Sequence, residues 1–165
     1  MADRLDAILR GVSSPYLIRL FRSTWSYLPL EDRITFKLVC RGITDFPAVF
    51  SWPELEDTAG MCHKTYLFYS DRLLVGRNVD YGRSVVAHET AHLLLGHTQK
   101  AIRAQDAETE VARQLCAWGL ATPEVRMCIA YGIDLLNARG ELAPQKAFVE
   151  WLDGLCQELD RLCNE

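Results

Sequence analysis

No stretch of this sequence approaches the roughly 18 consecutive apolar residues of a membrane-spanning helix. The opening residues, MADRLDAILRGVSS, scatter their charges and lack the apolar run of a secretory signal peptide. Basic charge is also short: 18 Lys and Arg stand against 22 Asp and Glu, a formal net charge of -4. That balance offers no footprint for nucleic-acid phosphates, so no nucleic-acid partner is expected. The six cysteines, Cys40, Cys62, Cys116, Cys128, Cys156 and Cys163, include no CxxC pair, which excludes a zinc ribbon and a thioredoxin motif. With no export signal, they read as reduced thiols packed as small hydrophobes in a cytoplasmic protein. Repeats and low-complexity tracts are absent. Histidine is scarce, with four in 165 residues, and its placement is informative.

What is present suits one domain spanning 1–165. The hydrophobic fraction of 49% and charged fraction of 24% are ordinary for a globular chain and supply a real core. A short helix is expected within 1–10. Residues 15–28 carry Leu17, Ile18, Leu20, Phe21, Trp25 and Leu28 at helical spacing, opened by Pro15. Residues 30–45 repeat the pattern with Ile34, Phe36, Leu38 and Val39, and Pro47 and Pro53 bound a loop. Thr65-Tyr66-Leu67-Phe68-Tyr69 reads as a strand, Ser70-Asp71 as a turn and Leu73-Leu74-Val75-Gly76 as a second strand, together a hairpin. Asp80 is a fair N-cap for a helix over 81–95 that ends at Gly96. Further helices are expected over 106–119, over 123–138 behind Pro123, and over 143–163. The last places Phe148, Trp151, Leu152, Leu155, Leu159 and Leu162 on or near one stripe. The chain therefore reads as α+β, helix-rich with one small sheet. It divides into an N-terminal helical part (1–45), a core (65–120) and C-terminal helices (123–163).

The core holds His88-Glu89-Thr90-Ala91-His92. On a helix, His88 and His92 lie one turn apart on one face. Two imidazole nitrogens so placed can take adjacent corners of a tetrahedral zinc. Glu89 lies about 100° round the helix from His88, where it can reach a water on the metal without replacing it. Zinc lowers the pKa of such a water, and Glu89 can take its proton as general base. Val85, Val86, Ala91, Leu93, Leu94 and Leu95 make this helix apolar enough to be buried. Two histidines and a glutamate on a buried helix are costly unless partnered, and a metal resolves the cost.

The third ligand has three candidates. Glu108 shares a face with Val111, Ala112 and Leu115, the expected inward stripe. Glu110 shares a face with Arg113, Gln114 and Ala117 and reads as a solvated acid in a first turn. His97 lies five positions after His92, beyond Gly96, and reads as a helix-end residue that could still lie near the site. The periodicity favours Glu108. His63 precedes the aromatic strand and reads as a surface-loop residue. Tyr66, Tyr69, Tyr81 and Tyr131 are candidate donors to a developing oxyanion, most of them expected to serve packing.

The stretch from His88 to His97, followed by Glu108-Thr109-Glu110-Val111-Ala112, resembles the ImmA/IrrE-type metallopeptidases and, more broadly, a gluzincin. The likeness covers about residues 82–120. Leu115-Cys116-Ala117-Trp118-Gly119-Leu120 also resembles how some HExxH hydrolases continue that helix. The resemblance implies a minimal zincin-like fold with its active-site helix at about 81–96. It implies Zn2+ on His88, His92 and Glu108, Glu89 as general base, and a protein or peptide substrate with narrow, regulatory specificity. Such sites usually bind substrate as an added strand, and 65–69 is the expected edge. Two departures stand out. Val111-Ala112 replaces the usual Ala-Asn or Ala-Asp, so a polar residue supporting the ligands is missing or supplied elsewhere. Thr90 replaces an apolar residue. Neither the third metzincin histidine, whose position holds Thr98, nor the EGCLS of deformylases is present. The competing reading is a non-catalytic zinc-binding interaction module on the same fold; the intact Glu89 argues against it.

Overall fold

Tyr66, Leu67, Phe68, Tyr69 and Ser70 are all buried, so this strand must be covered on both faces. The computed structural model describes residues 4–46, 58–120 and 146–164. In it, Leu67 and Tyr69 join one apolar cluster with Leu17, Leu20, Phe21, Ile43 and Val86. Tyr66 and Phe68 join another with Phe46, Phe148, Leu152 and Leu159. That division is the period-two alternation of a strand. Each such side chain taken fully from water is worth about 1.5–3 kcal/mol.

Seven α-helices and one three-stranded mixed sheet make up the described residues, an α+β arrangement as the patterning predicts. The strands are β1 (Gly42–Phe46), β2 (Gly60–His63) and β3 (Tyr66–Ser70). The sheet order is β1-β3-β2. β1 runs parallel to β3, with Gly42 opposite Tyr66 and Phe46 opposite Ser70. β2 runs antiparallel to β3, with Gly60 opposite Tyr69 and His63 opposite Tyr66.

The helices are α1 (Arg4–Ile8), α2 (Pro15–Trp25), α3 (Leu30–Val39), α4 (Asp71–Leu74), α5 (Val79–Leu95), α6 (Ala104–Ala117) and α7 (Lys146–Asn164). α2 opens as expected: Pro15 takes the first turn and the Ser14 hydroxyl caps it, accepting from Leu17 N at 3.3 Å. α7 covers one sheet face with Phe148, Leu152 and Leu159, and α2 and α5 cover the other. α5 then packs its opposite side on α6, where Ala87 and Ala91 meet Val111, Leu115 and Trp118. Asp32 of α3 pins α6 by accepting from Trp118 Nε1 at 2.6 Å.

Three sequence expectations are corrected. The helix expected over 30–45 stops at Val39, and 42–46 is a strand. Cys40 turns extended at φ -68°, ψ 125°, and the β-branched Ile43 and Thr44 pair along β3 rather than extend an amphipathic helix. Only Phe36 of α3 is fully buried, while Leu30, Ile34 and Leu38 face outward. The expected second strand at 73–76 is instead the short helix α4 with its following turn. There Ser14 Oγ donates to Asp71 Oδ1 at 2.7 Å, tying this turn to the start of α2. The true hairpin partner of β3 is β2, which lies before it. Lys64 makes the tight turn between them at φ 53°. Gly60-Met61-Cys62-His63 has almost no strand propensity, and pairing with β3 decides its conformation. Asn78, not Asp80, caps α5: its side chain accepts from Asp80 N at 3.0 Å. The helix expected over 123–138, Tyr131, Cys128 and most of the 46–60 loop lie outside the described residues.

No described helix is long and apolar enough to cross a membrane. Ile43 is fully buried in β1, so Ile43→Ala should cost about 2–5 kcal/mol, read from the urea midpoint. A residue in the exposed last turn of a helix would lose far less.

Candidate metal centre

α5 is set between β2 and β3 on one side and α6 on the other. Gly82, Ser84, Val85, Val86, Ala87, Glu89, Thr90, Ala91 and Leu93 are all buried. Small residues let the neighbours close in, and Thr90 turns its hydroxyl back onto Val86 O at 2.7 Å. This self-satisfied hydrogen bond is how a polar residue sits where the resembled family has an apolar one. The helix stops at Gly96, whose φ of 68° suits glycine and whose N–H returns to His92 O and Leu93 O.

The helical spacing brings His88 and His92 together as expected. Their Nε2 atoms stand 3.0 Å apart. α6 supplies Glu108, buried on the same stripe as Val111 and Leu115. Its Oε1 is 3.1 Å from His92 Nε2 and its Oε2 is 3.2 Å from His88 Nε2. These three side chains form a group that could hold a metal ion, their donor atoms all lying within 4.8 Å of one another. Glu110 and His97, the other candidate third ligands, lie outside that group.

The donor set fits a metal for two reasons. First, Glu108 Oε2 is fully buried and, although near His88, has no well-aligned hydrogen bond. Such an acceptor is costly unless a cation meets it. Second, two imidazole nitrogens face each other and one carboxylate. A proton can serve one of those three contacts at a time, whereas a cation serves all three. The two Nε2 atoms are 3.0 Å apart, with Glu108 Oε1 3.1 Å from one and Oε2 3.2 Å from the other, contacts close to the ~3.3 Å ligand–ligand spacing of a tetrahedral site with bonds of about 2.0–2.1 Å, the zinc–nitrogen value.

The electrostatics agree. Burial opposes ionisation of Glu108, but the adjacent His88 and His92 imidazoles outweigh it and hold its carboxyl well below the usual range. Burial likewise opposes a charged His88. The close Glu108 carboxylate and the nearby Glu89 win, raising its pKa above the ordinary histidine value. This is a site of concentrated negative potential that favours positive charge.

Glu89 is buried where α5 meets β2. Gly60 makes that approach, since a Cβ there would stand 2.9 Å from Glu89 Cγ, 2.9 Å from Val85 Cγ1 and 3.1 Å from Tyr69 Cδ1. No signal in the sequence picked out Gly60. The expected oxyanion donors are mostly packing: Tyr66 and Tyr69 are buried in the sheet, and Tyr69 Oη donates to Val86 O at 3.4 Å. Burial pushes the Tyr69 phenol up, with help from Glu89. His63 is not a loop residue but the last residue of β2, its Nε2 3.0 Å from Asp153 of α7.

No protein-family model matches the chain, and comparison with curated proteins and with solved structures finds no match. The assignment of chemistry therefore rests on the site itself. Gly60→Ala should destabilise the fold by about 1–3 kcal/mol, measured by urea unfolding, because a branched side chain and a ring must both retreat.

Proposed function

We propose that the chain is a zinc-dependent peptidase, with His88, His92 and Glu108 as metal ligands and Glu89 as general base. The observation that carries this reading is the convergence of two Nε2 atoms and a buried carboxylate within 3.0–3.2 Å. Zinc is favoured over another divalent metal by Glu89, one position after the first ligand histidine on the same helix. When bound, zinc supplies Lewis acidity and lowers the pKa of water toward neutrality.

The chain's own residues divide the remaining work. His88 and His92 present neutral Nε2 lone pairs, and Glu108 contributes one negative charge. Glu89 projects about 100° round α5 from His88, toward β2. Its carboxylate takes a proton from the attacking water and returns it to the departing amine nitrogen. The expected substrate edge at 65–69 is corrected: β3 is the central strand. An extended protein or peptide substrate would add beside β2, an outer strand among the described residues and the one packed on α5. Glu89 then lies between the strand that receives the peptide and the helix that carries the ligands.

Elemental analysis of purified protein should find about one zinc per chain, lost in His88→Ala and Glu108→Ala and kept in Glu89→Gln. In a casein or peptide-library assay, Glu89→Gln should lose hydrolysis by at least about 100-fold. Iron in place of zinc would overturn the metal assignment, and hydrolysis that survives Glu89→Gln would overturn the base. Stoichiometric zinc with no hydrolysis by the wild type would favour the non-catalytic module.

A further inference from the structure

Two side chains continue the metal group outward. His97 Nδ1 stands 2.9 Å from His92 Nδ1, and His97 Nε2 stands 2.9 Å from Glu110 Oε2. The His97 side chain is only 4% exposed, while that of Glu110 is 41% exposed. Glu110 thus anchors the chain of contacts at the protein surface.

The proton positions follow from the end points. If His92 presents Nε2 to the metal group, its single proton must sit on Nδ1. That N–H then donates to His97 Nδ1, which must be the bare nitrogen. His97 therefore carries its proton on Nε2 and donates it to Glu110. A carboxylate accepts and cannot donate, so the direction is fixed at both ends.

The backbone is built for this contact. On an unbroken helix His97 would lie about 140° round from His92. Gly96 breaks α5 in the left-handed region, and residues His97–Gln99 form a 3-10 turn. The break carries the His97 ring back onto His92, with ring centroids 5.0 Å apart and planes at 73°.

We infer that His97 and Glu110 are positioning residues for the metal centre, locking His92 in the tautomer and orientation that aim Nε2 at His88 and Glu108. This rests on the metal site proposed above. Neither residue touches the metal group through an Nε2–carboxylate contact of its own. They act through His92, and Glu110 acts through His97. The arrangement also supplies, from the turn after α5, the polar support that Val111 and Ala112 do not provide on α6.

The test is zinc affinity by chelator competition, with tautomers read by long-range proton–nitrogen NMR. His97→Phe should weaken zinc binding by about 10–100-fold. His97→Asn, whose amide oxygen takes the place of Nδ1, should recover most of that loss. Glu110→Ala should weaken binding in the wild-type background and add nothing to His97→Phe, as expected of a residue that works only through His97. In the zinc-loaded wild type, His92 should be protonated at Nδ1 and His97 at Nε2 alone. Wild-type affinity in His97→Phe, an Asn variant as weak as Phe, or a His97 proton on Nδ1 would each overturn this inference while leaving the metal site standing. Failure of the wild type to bind zinc would overturn both.

Discussion

The packing of α5 imposes the constraint on which the rest depends. One helix must fill the space between a three-stranded sheet and α6, and it does so with alanines, valines and leucines on several sides. The same helix carries His88, Glu89 and His92, whose polar atoms lose water in that position. An unsatisfied buried polar group costs of order 1–3 kcal/mol, and several on one helix would rival the stability of a whole domain. The fold answers by converging the polar groups on one another. Glu108 arrives from α6 to meet both histidines, and His97 arrives from the turn to meet the ring nitrogen of His92 left over.

That convergence overshoots what hydrogen bonds alone can satisfy. His92 Nε2 faces both His88 Nε2 and Glu108 Oε1, while Glu108 Oε2 has no aligned donor. Two imidazole nitrogens and both oxygens of one carboxylate, crowded at contacts near 3 Å, make a poor protein-only network and a good cation site. The contrast with the His63–Asp153–Lys64 cluster is instructive. There a single carboxylate oxygen is met by one imidazole at 3.0 Å and one ammonium at 2.6 Å. Donors and acceptor balance, and no further ion is called for.

The sheet contributes more than a platform. Because β3 is sandwiched, with alternate side chains sent to α7 and to the α2–α5 layer, its position relative to α5 is strongly determined. β2 hangs from β3 by an antiparallel ladder and touches α5 where Gly60 leaves room for Glu89. The distance between the acidic group and the strand beside it is therefore set by sheet packing, not by a flexible loop.

Much of this was legible in the sequence, and for local reasons. Helical spacing alone places His88 and His92 on one face, because 3.6 residues per turn returns position four to the start. The same periodicity selects Glu108 over Glu110, since only Glu108 shares its face with Val111 and Leu115. Pro15 and Gly96 mark element ends through their backbone restrictions. The aromatic run at 66–69 declares itself a strand, and the apolar stripe of α7 declares a helix. Non-local pairing decided what remained. Segments 42–46 and 60–63 settled as strands when β3 offered buried partners on both edges. His97 and Glu110 had no local reason to meet, as they lie on different elements beyond a helix break. Sequence periodicity reports which face a residue occupies on its own element, whereas contacts between elements depend on how whole faces pack, and that is decided only when the chain closes on itself.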